Sequence, residues 1–211
     1  VFTKSGYDAF KKALDDMKIP VTATETFAKG DVDFKAQLTK IKATNPDAIV
    51  LSALIAEGAP IMVQARNLGI DVPFIGGNGM NSVKVFELAK DKSDNLWVGS
   101  PWSLNSQAKE NQNFIAAYTQ KYKSAPDQFA AQAYDAMHIT AQALAKIKIT
   151  GNLEADRLAL RDALPQVTWT GATGAFKFSQ AKGKDGKPAG HDAQQAAIVS
   201  VTKAGKYVIE Q

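Results

Sequence analysis

Two histidines, no cysteine and one glycine-rich turn, Gly76-Gly77-Asn78-Gly79, are where chemistry must be sought first in this sequence. The lack of cysteine excludes disulfides, thiolate nucleophiles and cysteine-ligated metals. His138 falls inside a helical pattern and reads as a packed residue; His191 falls in a lysine-rich, polar stretch and reads as solvated. The chain contains no H-E-x-x-H, no phosphate-binding P-loop and no G-x-S-x-G nucleophile elbow. Carboxylates are plentiful, but their spacing alone pairs none of them. No catalytic residue, metal ligand or cofactor is therefore assigned.

The glycine turn follows an apolar run, Pro73-Phe74-Ile75, and precedes a short helical pattern. A dinucleotide fingerprint needs G-x-G-x-x-G between strand and helix. Gly77 and Gly79 meet its first two positions, but Ser82 holds the third, and no following acidic residue offers a ribose partner. The turn still puts backbone N–H groups, that of Gly77 among them, at the carboxyl end of a strand, where open α/β sheets bind ligands.

The elements that must position this turn follow from periodicity. Tyr7, Phe10, Ala13, Leu14 and Met17 predict a helix over 6–17; alternation predicts a strand over 21–27. Asp31–Asp33 are expected to cap a helix carrying Phe34, Leu38 and Ile41. Strands are expected at 48–51, 73–75 and 96–99, with helices over 57–67 and 83–89 between them. Such alternation predicts an α/β fold with a doubly wound parallel sheet. Beyond residue 103 the pattern changes. Helices are expected over 107–123, 127–147 and 153–164, with no strand between 103 and 166 for the first two to cover. A run at 175–178 alternates, 180–194 reads as a loop, and 196–201 with 207–209 reads as a hairpin around Lys203-Ala204-Gly205-Lys206.

Composition bounds the function. Apolar residues make up 45% and charged residues 22% of 211 residues, as in an ordinary globular protein. The net charge of +4 comes almost wholly from scattered lysines, and arginine is scarce, which argues against nucleic-acid binding. The cluster Lys182, Lys184 and Lys187 reads as a solvated loop. No apolar run approaches the roughly 20 residues that span a membrane.

Four segments, in order, carry a resemblance. Asp33-Phe34…Leu38…Ile41-Lys42 followed by Asn45-Pro46-Asp47-Ala48-Ile49-Val50 is the first. Gln64-Ala65-Arg66-Asn67-Leu68-Gly69 with Val72-Pro73-Phe74-Ile75-Gly76-Gly77 is the second. Ala133-Tyr134-Asp135-Ala136, and Gly171-Ala172-Thr173-Gly174 before Phe176-Lys177-Phe178, complete it. Over essentially its whole length the chain resembles the branched-chain amino-acid-binding (Leu/Ile/Val) family of type I periplasmic solute-binding proteins of ABC transporters. Members have two lobes of parallel sheet flanked by helices, close on a ligand by a hinge motion and deliver it to a membrane permease. The resemblance implies that 1–102 form the second lobe, that 103–166 are helices of the first lobe, and that 167–211 return to the second. It also implies that an N-terminal part, with the first lobe's sheet, is absent, leaving those helices nothing to cover. A periplasmic or lipid-anchored extracytoplasmic location follows from the same likeness.

The family's ligand contacts carry over to Phe2, Leu54, Asn78 and Phe129; Trp102, just after a strand, is read either as facing the cleft or as core. Asn78 stands where amino-acid binders carry a glutamate that pairs with the ligand's ammonium. Its replacement by an amide predicts a ligand without that ammonium, an aromatic or aliphatic carboxylate. The alternatives are a branched-chain or other amino acid with its ammonium held elsewhere, a sensory ligand-binding domain of the same fold, and an enzyme on a dinucleotide-type fold.

Overall fold

In a computed structural model, residues 2–183, 185–186 and 188–210 are described, with the backbone alone for Phe2, Pro188, Ala189, His191, Ala193 and Gln194. The described chain forms two compact units, residues 1–100 with 198–211, and residues 101–197.

The first unit is built on a five-stranded sheet in the order β1-β2-β3-β7-β8. Strands β1 (Ile49–Leu51), β2 (Phe74–Gly76) and β3 (Leu96–Ser100) are parallel, with Ile49 opposite Phe74 and Phe74 opposite Leu96. Strand β7 (Ile198–Lys203) runs antiparallel to β3 and turns into β8 (Lys206–Ile209). The Ala204-Gly205 turn has positive φ at both residues (49° and 76°), the two-residue geometry whose twist matches that of the strands. Helices α1 (Phe2–Asp16), α2 (Lys35–Ala43), α3 (Ile55–Asn67) and α4 (Lys84–Ala89) complete the unit. The side chains of Phe34, Leu38, Met62, Phe74, Leu96 and Val98 form its buried core. Arg66, its guanidinium 5.1 Å from the Phe74 ring centre, donates to the carbonyls of Ile70 and Val72 and so ties the end of α3 to the chain entering β2.

The second unit holds α5 (Lys109–Tyr122), α6 (Gln128–Leu144), α7 (Leu153–Ala163) and a three-stranded antiparallel sheet of β4 (Trp169–Gly171), β5 (Gly174–Lys182) and β6 (Pro188–Gln194). Two of its helices start as their sequences require: the Asp127 side chain accepts from the Ala130 N–H, and that of Asn152 from the Ala155 N–H.

Five expectations are revised. Residues 21–27 pair with no strand among the described residues. The alternation survives only as burial, with Ala23, Glu25 and Phe27 half-buried, and the segment bonds to α2 and its end through Thr22–Thr44, Glu25–Lys40 and Gln37–Thr26 contacts instead of joining a ladder. The residue preceding α2 is the buried Phe34, not an aspartate; Asp33 accepts from the Lys35 N–H and Asp31 from Ala28 N–H. The expected loop over 180–194 contains most of a β-hairpin, in which His191 lies opposite Gln180. Gln180, Lys182 and Asp192 are exposed on these strands, and composition does not distinguish an exposed strand from a loop. The run 167–197 groups with the helices of 101–166, and only β7 and β8 return to the first sheet. Finally, α5 and α6 are not without cover. Phe114 and Ala131 pack with Trp102 and Ala172, and Ile139 and Ala143 with Ala163 and Val167. The opposite stripe of α6, Phe129, Ala133, Met137 and Leu144, is exposed.

Candidate functional site

The carboxyl ends of β1 and β2 open into a cavity of about 240 Å³ lined by Ser5, Gly6, Phe10, Ser52, Ala53, Gly77, Asn78 and Gly79. Three chain segments build it. Residues 52–53 leave β1, and 77–79 leave β2 in a turn that becomes a single helical turn over Asn78–Met80. The third wall is α1, whose Gly6 and Phe10 lie one turn apart on the same face. A Cβ on Gly6 would stand 2.6 Å from Ser52 Oγ, so glycine permits the close approach. Ser52 Oγ donates to the Thr3 carbonyl at 2.7 Å and fixes α1 against the end of β1. A Cβ on Gly77 would stand 3.9 Å from the Phe10 ring edge.

The lining offers two hydroxyls, one carboxamide, turn backbone and an aromatic face. None of these eight side chains is charged, and none is a histidine. A hydroxyl without a base is a hydrogen-bonding group and not an activated nucleophile. Nor does any group of three or more acidic, histidine or cysteine side chains suited to a metal ion occur among the described residues. The site can therefore hold a small molecule by shape and neutral hydrogen bonds, as ligand pockets at strand ends do.

Of the residues singled out in the sequence, the cavity brings together Gly77 and Asn78. Leu54 follows the lining residues Ser52 and Ala53 directly and is 44% exposed at the start of α3. Phe2 belongs to α1, and its side chain lies outside the described residues. Trp102 and Phe129 belong to the second unit. Trp102 takes the core position of the two left open: it is only 4% exposed and donates to Asn111 Oδ1 at 2.6 Å. Phe129 is 62% exposed near the start of α6. His138 is packed, stacked on the Trp169 ring at 4.5 Å and edged by Tyr134. The sequence reading missed Ser5, Gly6, Phe10 and Ser52. Phe10 was visible as part of a helical stripe, but nothing in that stripe separates a core ring from a cavity wall.

A family model for periplasmic binding proteins matches residues 1–206. The chain belongs to the periplasmic binding protein family. Among curated relatives of this binding-protein family, a leucine-, isoleucine-, valine-, threonine- and alanine-binding protein of Pseudomonas aeruginosa is 26% identical over 170 residues, covering 81% of this chain and 44% of its own. A Leu/Ile/Val-binding protein of Rhizobium johnstonii is 27% identical over 190 residues, covering 85% of this chain and 51% of its own. The substrate-binding protein LivJ of Streptococcus pneumoniae, solved in complex with isoleucine, is similar in structure with a TM-score of 0.75 at 32% identity. That match covers 95% of this chain and 54% of LivJ. The chain thus spans about half the length of the binding proteins it matches. Proteins of this family bind solutes and are not enzymes.

Proposed function

We propose that this chain is part of the extracytoplasmic substrate-binding component of an ABC importer, and that it binds a small carboxylate at the cavity beside Asn78 and hands it to a membrane permease. Membership of the periplasmic binding protein family supports the transport role. Among the described residues no helix is long and apolar enough to cross a membrane, in keeping with a component that works beside a separate permease.

The observation that carries the ligand class is a lining with hydrogen-bond donors, the Asn78 carboxamide and the Ser5 and Ser52 hydroxyls, and no acidic side chain. A desolvated ammonium requires an anion or several well-placed acceptors. A hydrogen bond that involves a charged group contributes about 1.5–3 kcal/mol, against roughly 1 for a neutral pair. At Asn78 an amide can donate to a carboxylate or ring substituent but cannot supply the missing negative charge. Phe10 offers an aromatic face to the apolar body of such an acid. Leu54, next to the lining residues Ser52 and Ala53, is a further contact of this reading.

A branched-chain amino acid is the second reading, favoured by the names of the relatives and by the isoleucine complex of LivJ. Calorimetric titration with benzoate and with leucine separates the two. Binding of benzoate with no heat from leucine supports the carboxylate reading; the reverse result replaces it with the second.

A further inference from the structure

We propose that Tyr207, on the last strand of the chain, is a positioning residue for the Gly77–Gly79 wall of the cavity. The inference rests on the reading of that cavity as a ligand site and concerns how one of its walls is held. The turn leaving β2 is irregular and short, and three of its residues line the cavity. Its own hydrogen bonds, Met80 N–H to Gly77 O and Asn81 N–H to Asn78 O, close single turns only. Two outside restraints hold it.

The first is Met80. Its side chain is fully buried in a slot between Gly58 of α3 and Gly76 of β2: a Cβ would stand 2.3 Å from Met80 Sδ at Gly58 and 2.9 Å from Met80 Cγ at Gly76. The second is Tyr207, 127 residues further along the chain. Its phenol donates to the Met80 carbonyl at 2.7 Å and accepts from the Ser82 N–H at 3.2 Å. Its ring meets Phe86 of α4 edge-on, with centres 5.2 Å apart, and the Ser82 carbonyl is a second, longer acceptor of the hydroxyl at 3.2 Å. Burial pushes this phenol up to about 12, which keeps it a donor throughout the neutral range.

A side-chain anchor fixes the turn's position, and a hydroxyl that both donates and accepts fixes its backbone orientation. The two together set where Asn78 and Gly79 present their polar groups. Loss of the hydroxyl alone is expected to loosen the turn while the sheet and the Met80 slot remain.

The test is Tyr207→Phe, which keeps the ring. Backbone amide exchange of Met80, Asn81 and Ser82 is expected to quicken by about tenfold or more, with Ile75 and Val98 in the β2–β3 ladder changed by less than about twofold. Benzoate affinity is expected to fall by about fivefold, with only a small drop in the unfolding midpoint. Equal exchange in the turn of both proteins overturns the proposal, as does quickening spread evenly through the sheet. Should the variant fail to fold, the wild-type protein decides. A slowly exchanging Tyr207 hydroxyl proton beside the Ser82 amide supports the clamp, and a hydroxyl averaged with water refutes it. If wild type binds neither benzoate nor leucine, the ligand reading falls, while amide exchange still judges the clamp.

Discussion

Asn78 in the first unit and Asp135 in the second both stand where a short polar side chain meets a glycine-bearing turn, yet their surroundings are opposite. Asp135, on α6, is fully buried. Its Oδ1 accepts from Trp169 Nε1 and the Ala172 N–H, each at 2.9 Å, and its Oδ2 from the Thr173 N–H and hydroxyl at 2.7 and 2.6 Å. All four donors are uncharged. Asn78 lies instead on the wall of an open space of about 240 Å³. The comparison teaches that convergent polar groups packed without room between them mark a structural joint, whereas polar groups around open space mark a candidate site. The Asp135 joint fastens α6 to the β4–β5 hairpin, whose turn is Ala172-Thr173.

The sharpest way to break the comparison is Asp135→Ala. It strips four donors of their acceptor at once, three of them in buried bonds, and each orphaned buried group costs about 1–3 kcal/mol. A loss of at least about 3 kcal/mol is expected in urea unfolding, which exceeds the effect of most single substitutions. A loss below about 1 kcal/mol would show the carboxylate to be replaceable by water and the joint to be no joint.

The two regions also differ in how they tolerate a methyl group. At Gly171 a Cβ would lie 1.8 Å from Asp135 Oδ1 and 2.2 Å from Trp169 Nε1, groups held by each other. At Gly6 it would meet Ser52 Oγ, a hydroxyl that can rotate away at the loss of its bond to Thr3. Gly171→Ala is therefore expected to destabilise by about 2–3 kcal/mol and Gly6→Ala by about 1. Equal thermal shifts would erase the distinction between a locked joint and an adjustable wall.

This contrast also explains what the sequence revealed. The parallel strands at 49–51, 74–76 and 96–100 were legible as short apolar runs bounded by turns, although burial alternates along them and Ile75, between buried Phe74 and Gly76, is 37% exposed. Asn78 was legible because it sits in a turn whose place at a strand end is fixed by that pattern. The turn at Gly171–Gly174 was legible from its composition, but its bonds to Asp135 were not, since a bond between residues more than 30 positions apart leaves no local trace. The segment 21–27 misled for the converse reason: half-burial against one helix produces the same alternation as a strand. Ser5 and Ser52 left no mark, being single small polar residues whose importance comes only from what they face.

The pocket itself is probed by Asn78→Glu. A carboxylate at this position would repel an acid ligand and favour an ammonium. Benzoate affinity is expected to fall by at least about tenfold, or 1.4 kcal/mol. The fold is expected to keep its stability within about 1 kcal/mol, because the residue borders open space. Tighter benzoate binding by the variant would overturn the carboxylate reading, and a large loss of stability would move Asn78 into the same class as Asp135.

The smallest effect belongs to a third kind of carboxylate, one that is saturated yet exposed. Asp156, in the first turns of α7, accepts from the Thr150 N–H at 2.9 Å, the Thr150 hydroxyl at 2.8 Å and the Gly151 N–H at 3.0 Å. The bonds from Thr150, backbone first and hydroxyl second, hold its carboxyl below the ordinary 3.8. A group whose folded value is depressed stabilises the fold above its unfolded value, and that contribution disappears as pH falls through the folded one. The Thr150–Gly151 turn is therefore expected to loosen only below about pH 4, with the Thr150 amide resonance titrating at a midpoint under 3.8. A midpoint at or above 3.8 would mean that solvent competes successfully for all three donors. The rule drawn from Asp135 would then hold only where water is excluded, and saturation without burial would no longer count as a joint.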